Sequence, residues 1–164
     1  MQDYQLYYWR ELTQLKEHCY YVDEYINRTH LISRFINCFL AITSSSSIGA
    51  WVIWEKYAFI WGAIIAASQV VNIIKQFLPF EGRLKYLPEL KNELDFLVLE
   101  MEKSWFNVAE GKWAIEEIHN KRLDIKMRKA GILQKYLADV SLPDNRKLLE
   151  VAKIKTRDYF KNFS

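Results

Sequence analysis

Only two cysteines, three prolines and five glycines occur in 164 residues. Cys19 and Cys38 are too few for a disulfide framework or a cysteine-rich metal site. The five glycines form no phosphate-cradling loop. The histidines, His18, His30 and His119, stand far apart, without metal-ligand spacing such as HExxH. Paired acids such as Glu116-Glu117 belong to a charged helix and are ordinary solvated face. No enzyme motif is left, and neither a cofactor nor a metal is expected. Scarce glycine and proline also permit long uninterrupted helices. No strand pattern of any weight occurs, so the fold class is all-α.

Charge is missing from two long stretches, 35–54 and 57–74, separated only by Glu55-Lys56. As helices each rises roughly 27–30 Å, the thickness of a bilayer's hydrocarbon core. The expectation is a transmembrane hairpin that crosses and returns. The competing arrangement is a hairpin buried in a soluble bundle, but a chain of this length has little to wrap around it. Trp51, Trp54, Tyr57 and Trp61 crowd the tip, where amphipathic rings favour a membrane–water interface. Arg28, Arg34, Lys75, Arg83 and Lys85 flank the other ends, which places both termini in the cytoplasm. Asp3, Arg10, Glu11, Lys16 and Glu17 interrupt any N-terminal signal peptide, so the first span would serve as its own insertion signal.

Three segments result: a helix over 1–34, the hairpin over 35–74, and a helical region over 75–164. In the first, Tyr8, Leu12, Leu15, Cys19, Val22 and Ile26 recur at steps of four and three, a heptad-like seam. Six of the ten tyrosines lie in the first 25 residues. Tyr4, Tyr7, Tyr8 and Trp9 either thicken that seam or line a partner surface. In the third segment Pro79 and Gly82 mark a break, and Pro88 fits the first turn of a new helix. Leu90, Leu94, Leu97, Met101, Ser104 and Val108 then keep the same spacing. Gly111 follows as a bend or break, and Ile115, Ile118, Arg122 and Ile125 continue the pattern. Ser141–Asn145 is a turn, with Asp144 or Asn145 capping a last amphipathic helix. An up-and-back chain would let the two seams bury one another as a coiled-coil-like bundle.

Two sets of polar residues are candidate sites. Ser68, Gln69, Asn72 and Gln76 fall within an arc of about 100° on the second stretch. On the first stretch Asn37, Thr43, Ser44 and Ser47 are polar, and hairpin pairing puts Thr43 level with Ser68. These eight residues either line a water-filled path made by several copies or glue helices together. The second set is basic: Lys121, Arg122, Lys126, Arg128 and Lys129. Such a cluster grips phosphate, or it is a solvated face. Residues 75–164 hold 18 Lys and Arg against 14 Asp and Glu, an excess too small to choose.

The run NRTHLISRFINCFLAITSSSS, the short EK tip, the small-residue stretch WGAIIAASQVVNII and FEGRLKYLPELKNEL together resemble the SLATT family over roughly residues 5–130. These are small two-span membrane effectors of bacterial conflict systems. The resemblance implies an oligomeric effector of the bacterial inner membrane that forms or gates a pore in antiphage defence. It also implies control by a nucleotide or oligonucleotide signal from a partner nucleotidyltransferase, for which the basic cluster is the candidate site. The alternative is a membrane-anchored interaction protein whose cytoplasmic helices recruit a partner without a pore. The expected partners are the lipid bilayer and further copies of the chain.

Overall fold

The computed structural model describes residues 2–46, 58–77, 80–138 and 142–161. Five helices carry them: α1 (Gln2–Ser46), α2 (Ala58–Phe77), α3 (Phe80–Ala109), α4 (Ile115–Leu137) and α5 (Arg146–Phe160). They form two compact units, one of residues 1–26 with 85–164 and one of residues 27–84.

The first unit is a helical bundle, and its core is the pair of seams. Tyr8, Leu12, Leu15, Cys19, Val22 and Ile26 of α1 are all buried. So are Leu87, Leu90, Leu94, Leu97, Val98, Met101 and Val108 of α3. The two helices run antiparallel. Gln5 donates to the Val108 carbonyl at 2.7 Å, the Tyr8 hydroxyl to the Met101 carbonyl at 3.3 Å, and Lys91 lies 3.8 Å from Asp23. Burial pushes the Tyr8 phenol and the Cys19 thiol each up to about 12. Both therefore stay neutral in the core at physiological pH.

Gly111 ends α3 with φ 67°, in the left-handed region that glycine reaches without strain. Its N–H donates to Val108 and that of Lys112 to Asn107, which satisfies the last carbonyls of the helix in a Schellman turn. The chain then reverses. α4 returns along α3, with Lys121 and Arg128 on Glu100, and Lys135 on Glu93. The four-three pattern carried past Gly111 thus belongs to two helices. Ile118 and Ile125 are buried in the new one, whereas Ile115 is exposed.

α5 starts where its cap predicts. The Asn145 side chain accepts from the N–H groups of Lys147 at 3.1 Å and Leu148 at 3.3 Å. Leu148, Ala152, Thr156 and Phe160, four residues apart, are its buried face. The turn before it is tied to α1 through Tyr21, whose hydroxyl donates to the Pro143 carbonyl and accepts from the Asn145 N–H. Trp9 packs between Trp105 and Phe160, each ring centroid 4.8 Å away. The N-terminal aromatics therefore divide. Tyr8 and Trp9 join the bundle, while exposed Tyr7 meets Tyr4 edge-on at 6.3 Å.

Two expectations fail locally. Pro88 lies inside α3, eight positions after its start, rather than in a first turn. It is exposed, and its ring leaves one helix carbonyl without a backbone donor. Gly82 also lies within α3, with open space where a Cβ would stand, and marks no break. Pro79 is outside the described residues.

The larger correction concerns the hairpin. Among the described residues no helix is long and apolar enough to cross a membrane, so the expected two-span transmembrane fold is overturned. Composition explains it. The described part of the first stretch ends α1, with Arg34 just before it and Asn37 and the Thr43–Ser46 run within it. In α2 the uncharged run ends before Lys75 and includes Gln69 and Asn72. From Ala58 to Ile74 a helix rises roughly 25 Å, less than the ~30 Å hydrocarbon core. Residues 47–57, which include the tip, lie outside the described residues.

The bundle core sets one expected outcome. Leu94→Ala should lower unfolding free energy by about 2–5 kcal/mol, because a fully enclosed leucine leaves a cavity. Phe96→Ala, on a side chain 70 % exposed, should change it by less than about 0.5 kcal/mol. Urea unfolding followed by circular dichroism compares the two.

Candidate functional site

The 27–84 unit has an inverted pattern of burial. Phe35, Phe59, Ile42, Leu31 and Ile73 are exposed, Phe59 by 90 %. Its buried polar side chains include Thr29, Thr43 and Ser68. α1 and α2 enclose a cavity of about 470 Å³ lined by polar side chains from both: Thr43 and Ser44 from one, Ser68, Gln69 and Asn72 from the other. Leu40, Ala41 and Ile65 complete the wall.

Hydroxyl chemistry in this cavity is local. Thr43 donates to the carbonyls of Phe39 and Leu40 at 3.0 and 3.1 Å. Ser44 donates to Ala41 at 3.0 Å and Ser68 to Ile65 at 2.7 Å. Each proton thus returns to its own helix, which lowers the cost of burying the oxygen. The Thr43 and Ser68 oxygens can still accept from a guest. Gln69 and Asn72 are exposed and supply both donors and acceptors. Of the eight sequence candidates, the cavity brings together five. Asn37 is exposed on α1 and does not line it. Ser47 lies outside the described residues, as does the side chain of Gln76.

The basic cluster looks inward to carboxylates. Glu100 takes both Lys121 and Arg128, the latter at 2.6 Å. Asp124 adds contacts to the same two cations at 3.9 and 3.7 Å. Lys126 pairs with Glu11 at 3.0 Å. Lys129 is half-buried, and burial lowers its pKa while Glu11 opposes that shift. Arg122 lays its guanidinium over the Tyr7 ring at 5.5 Å, and its buried Nε has no hydrogen-bond partner. Hydrogen bonds from Lys121 and then Arg128 hold the Glu100 carboxyl below its usual pKa. Five cations that the sequence brackets as one phosphate grip are divided by the fold among Glu11, Glu100, Asp124 and an aromatic ring.

A second basic row is neutralised only at one end, where Lys161 pairs with Asp158. Along α5 and its C-cap, Lys153, Arg157 and Lys161 recur every four residues beside a groove of about 460 Å³. Trp9, Thr13 and Glu17 of α1 form the opposite wall, with Thr156 and Phe160 of α5 beneath. The spacing of this row is plain in the sequence. What the sequence hides is that α5 packs beside the N-terminal turns of α1, which turns an ordinary charged face into a groove edge. Among the described residues no group of three or more His, Cys, Asp or Glu is placed to hold a metal ion.

No protein-family model, curated protein or solved structure matches this chain. The resemblance to the SLATT family gains no support from them.

Charge bridging between α3 and α4 has a pH signature. A carboxyl held below its ordinary value of 4.5 binds protons more readily in the unfolded chain. Stability that Glu100 contributes is therefore full at neutral pH and is lost as pH falls through that region. Glu100→Gln should cost about 1 kcal/mol at pH 7, as expected for a partly exposed network. It should also flatten the fall in thermal midpoint between about pH 5 and 3. An unchanged acid slope in the variant would mean that Glu100 does not bridge the helices in solution.

Proposed function

We propose that this chain is a lipid-associated interaction protein, in which the 27–84 unit settles on a bilayer surface and the bundle recruits a partner. The observation that carries the proposal is the inverted burial of that unit. Large apolar side chains face outward while Thr29, Thr43 and Ser68 are enclosed. In water such an arrangement is costly, because each exposed phenylalanine or isoleucine forgoes about 1.5–3 kcal/mol of burial. Large apolar side chains left exposed in such number within one unit mark an interaction site. Lipid suits it better than a folded protein surface, since the exposed side chains are aliphatic and phenylalanine with few polar anchors. Exposed Arg28 and Arg34 lie beside the apolar residues of α1, where they favour anionic headgroups.

A second reading is favoured by the cavity. Several copies gathered on a membrane would present Thr43, Ser68, Gln69 and Asn72 as a polar surface inside an apolar shell, and would permeabilise the bilayer. This is the finer form that SLATT membership would give it, with antiphage defence at the bacterial inner membrane.

Flotation with liposomes tests the first reading. The chain should float with vesicles containing anionic lipid, and Phe35→Asp with Phe59→Asp should leave it at the bottom. Exposed Cys38 should react quickly with a charged maleimide in detergent-free buffer and slowly once vesicles are added. Buried Cys19 should react only on unfolding. Equal labelling of Cys38 with and without vesicles, or self-assembly without flotation, would overturn lipid association. Release of an entrapped dye tests the second reading. Asn72→Leu should preserve flotation and reduce release, and normal release from that variant would remove the cavity from any path.

A further inference from the structure

The groove between α1 and α5 has donors on one wall and acceptors on the other. Lys153 and Arg157 are exposed on α5, and among the described residues neither has a carboxylate within ion-pair distance. The other cations of α5 and its C-cap include Lys155, spent on Glu24, and Lys161, which pairs with Asp158 at 2.6 Å. Across the groove, Glu17 can only accept when ionised. The Thr13 hydroxyl gives its proton to the Trp9 carbonyl at 2.9 Å, and the Thr156 hydroxyl gives its own to Ala152 at 2.8 Å. Thr13, half-buried on α1, therefore meets a guest as an acceptor, whereas Thr156 is buried under the groove. Trp9 lines the α1 wall and meets Phe160, at the foot of the groove, with centroids 4.8 Å apart.

These features select one kind of guest. It carries a negative group for the α5 cations, hydrogen-bond donors for Glu17 and Thr13, and a flat ring for Trp9. The size of the groove, about 460 Å³, suits a small molecule of that description. We propose that the groove binds a nucleoside monophosphate, with phosphate on Lys153 and Arg157, base against Trp9, and amino or hydroxyl groups on Glu17 and Thr13. Arg157 supplies the planar fork that matches phosphate oxygens, and Lys153 adds a point charge. The site stands apart from lipid association, because all its residues belong to the bundle unit.

Calorimetric titration of the full chain with adenosine 5′-monophosphate tests the proposal. Inorganic phosphate and adenosine serve as the two halves of the probe. The monophosphate should bind, and each half should bind at least about tenfold more weakly. Lys153→Glu with Arg157→Glu should weaken binding about a hundredfold, the loss of two charge-assisted contacts. Arg146→Glu with Lys147→Glu makes the same change in net charge outside the groove and should bind as the parent does. Circular dichroism should show equal helix content in both. If charge reversal reduces it, Lys153→Gln with Arg157→Gln takes its place, with the same expected direction. No binding by the parent at millimolar concentration would overturn the site. Equal weakening by the two charge-reversed proteins would reduce it to diffuse attraction and overturn it as well. Phosphate alone matching the monophosphate would remove the aromatic base and, with it, the nucleoside.

Discussion

Everything in the bundle depends on the antiparallel contact between α1 and α3. It is made by two apolar seams of matched spacing, and its polar ties mark the register rather than supply the energy. Gln5 reaches Val108 and Tyr8 reaches Met101, so each helix fixes the other's axial position. A buried phenol is tolerated here because its proton has a carbonyl to go to. With α1 and α3 set, α4 and α5 find places on either side, each held by a different device. Ionic bridges draw α4 to α3, whereas aromatic packing and the Tyr21 tie draw α5 to α1.

Much of this bundle was legible in the sequence. A period of four and three in Tyr8–Ile26 and in Leu90–Val108 is a direct image of a buried stripe, and those positions are buried. The cap at Asn145 and the turn before it were equally readable, because capping chemistry is local. Gly111 was the ambiguous point. A heptad pattern continues across it, and the positive φ with the bridges to Glu100 and Glu93 shows that the pattern resumes on a returning helix. Pro88 misled for the opposite reason. Proline favours a first turn, but an exposed site inside a long helix tolerates it when packing on the far face holds the helix together.

The candidate sites were less legible, and the reason is long-range. That Thr43, Ser44, Ser68, Gln69 and Asn72 meet follows from helical arcs and hairpin register, both of which a sequence carries. The fate of the 121–129 cations did not follow, since their acceptors lie on other helices. Glu100 is 21 residues before Lys121, and Glu11 is more than a hundred before Lys126. Net charge in a window is blind to such pairing. The expectation of two membrane spans failed on a finer balance. Long uncharged runs were present, but their amides and hydroxyls lower hydropathy, and the described helices fall short of a crossing.

The turn held by Tyr21 gives α5 a particular place in time as well as in space. Its ties to α1 join residues more than 120 apart, at Tyr21 with Pro143 and at Glu24 with Lys155. Contacts that close so long a loop are the slowest for a chain to find, while the Asn145 cap lets α5 coil early on its own. The wall that carries Lys153 and Arg157 is in place only once this long loop is closed. A chain emerging from the ribosome completes α1 early yet has no groove until α5 is made. Occupancy of that groove would in turn report that α1 and α5 have met.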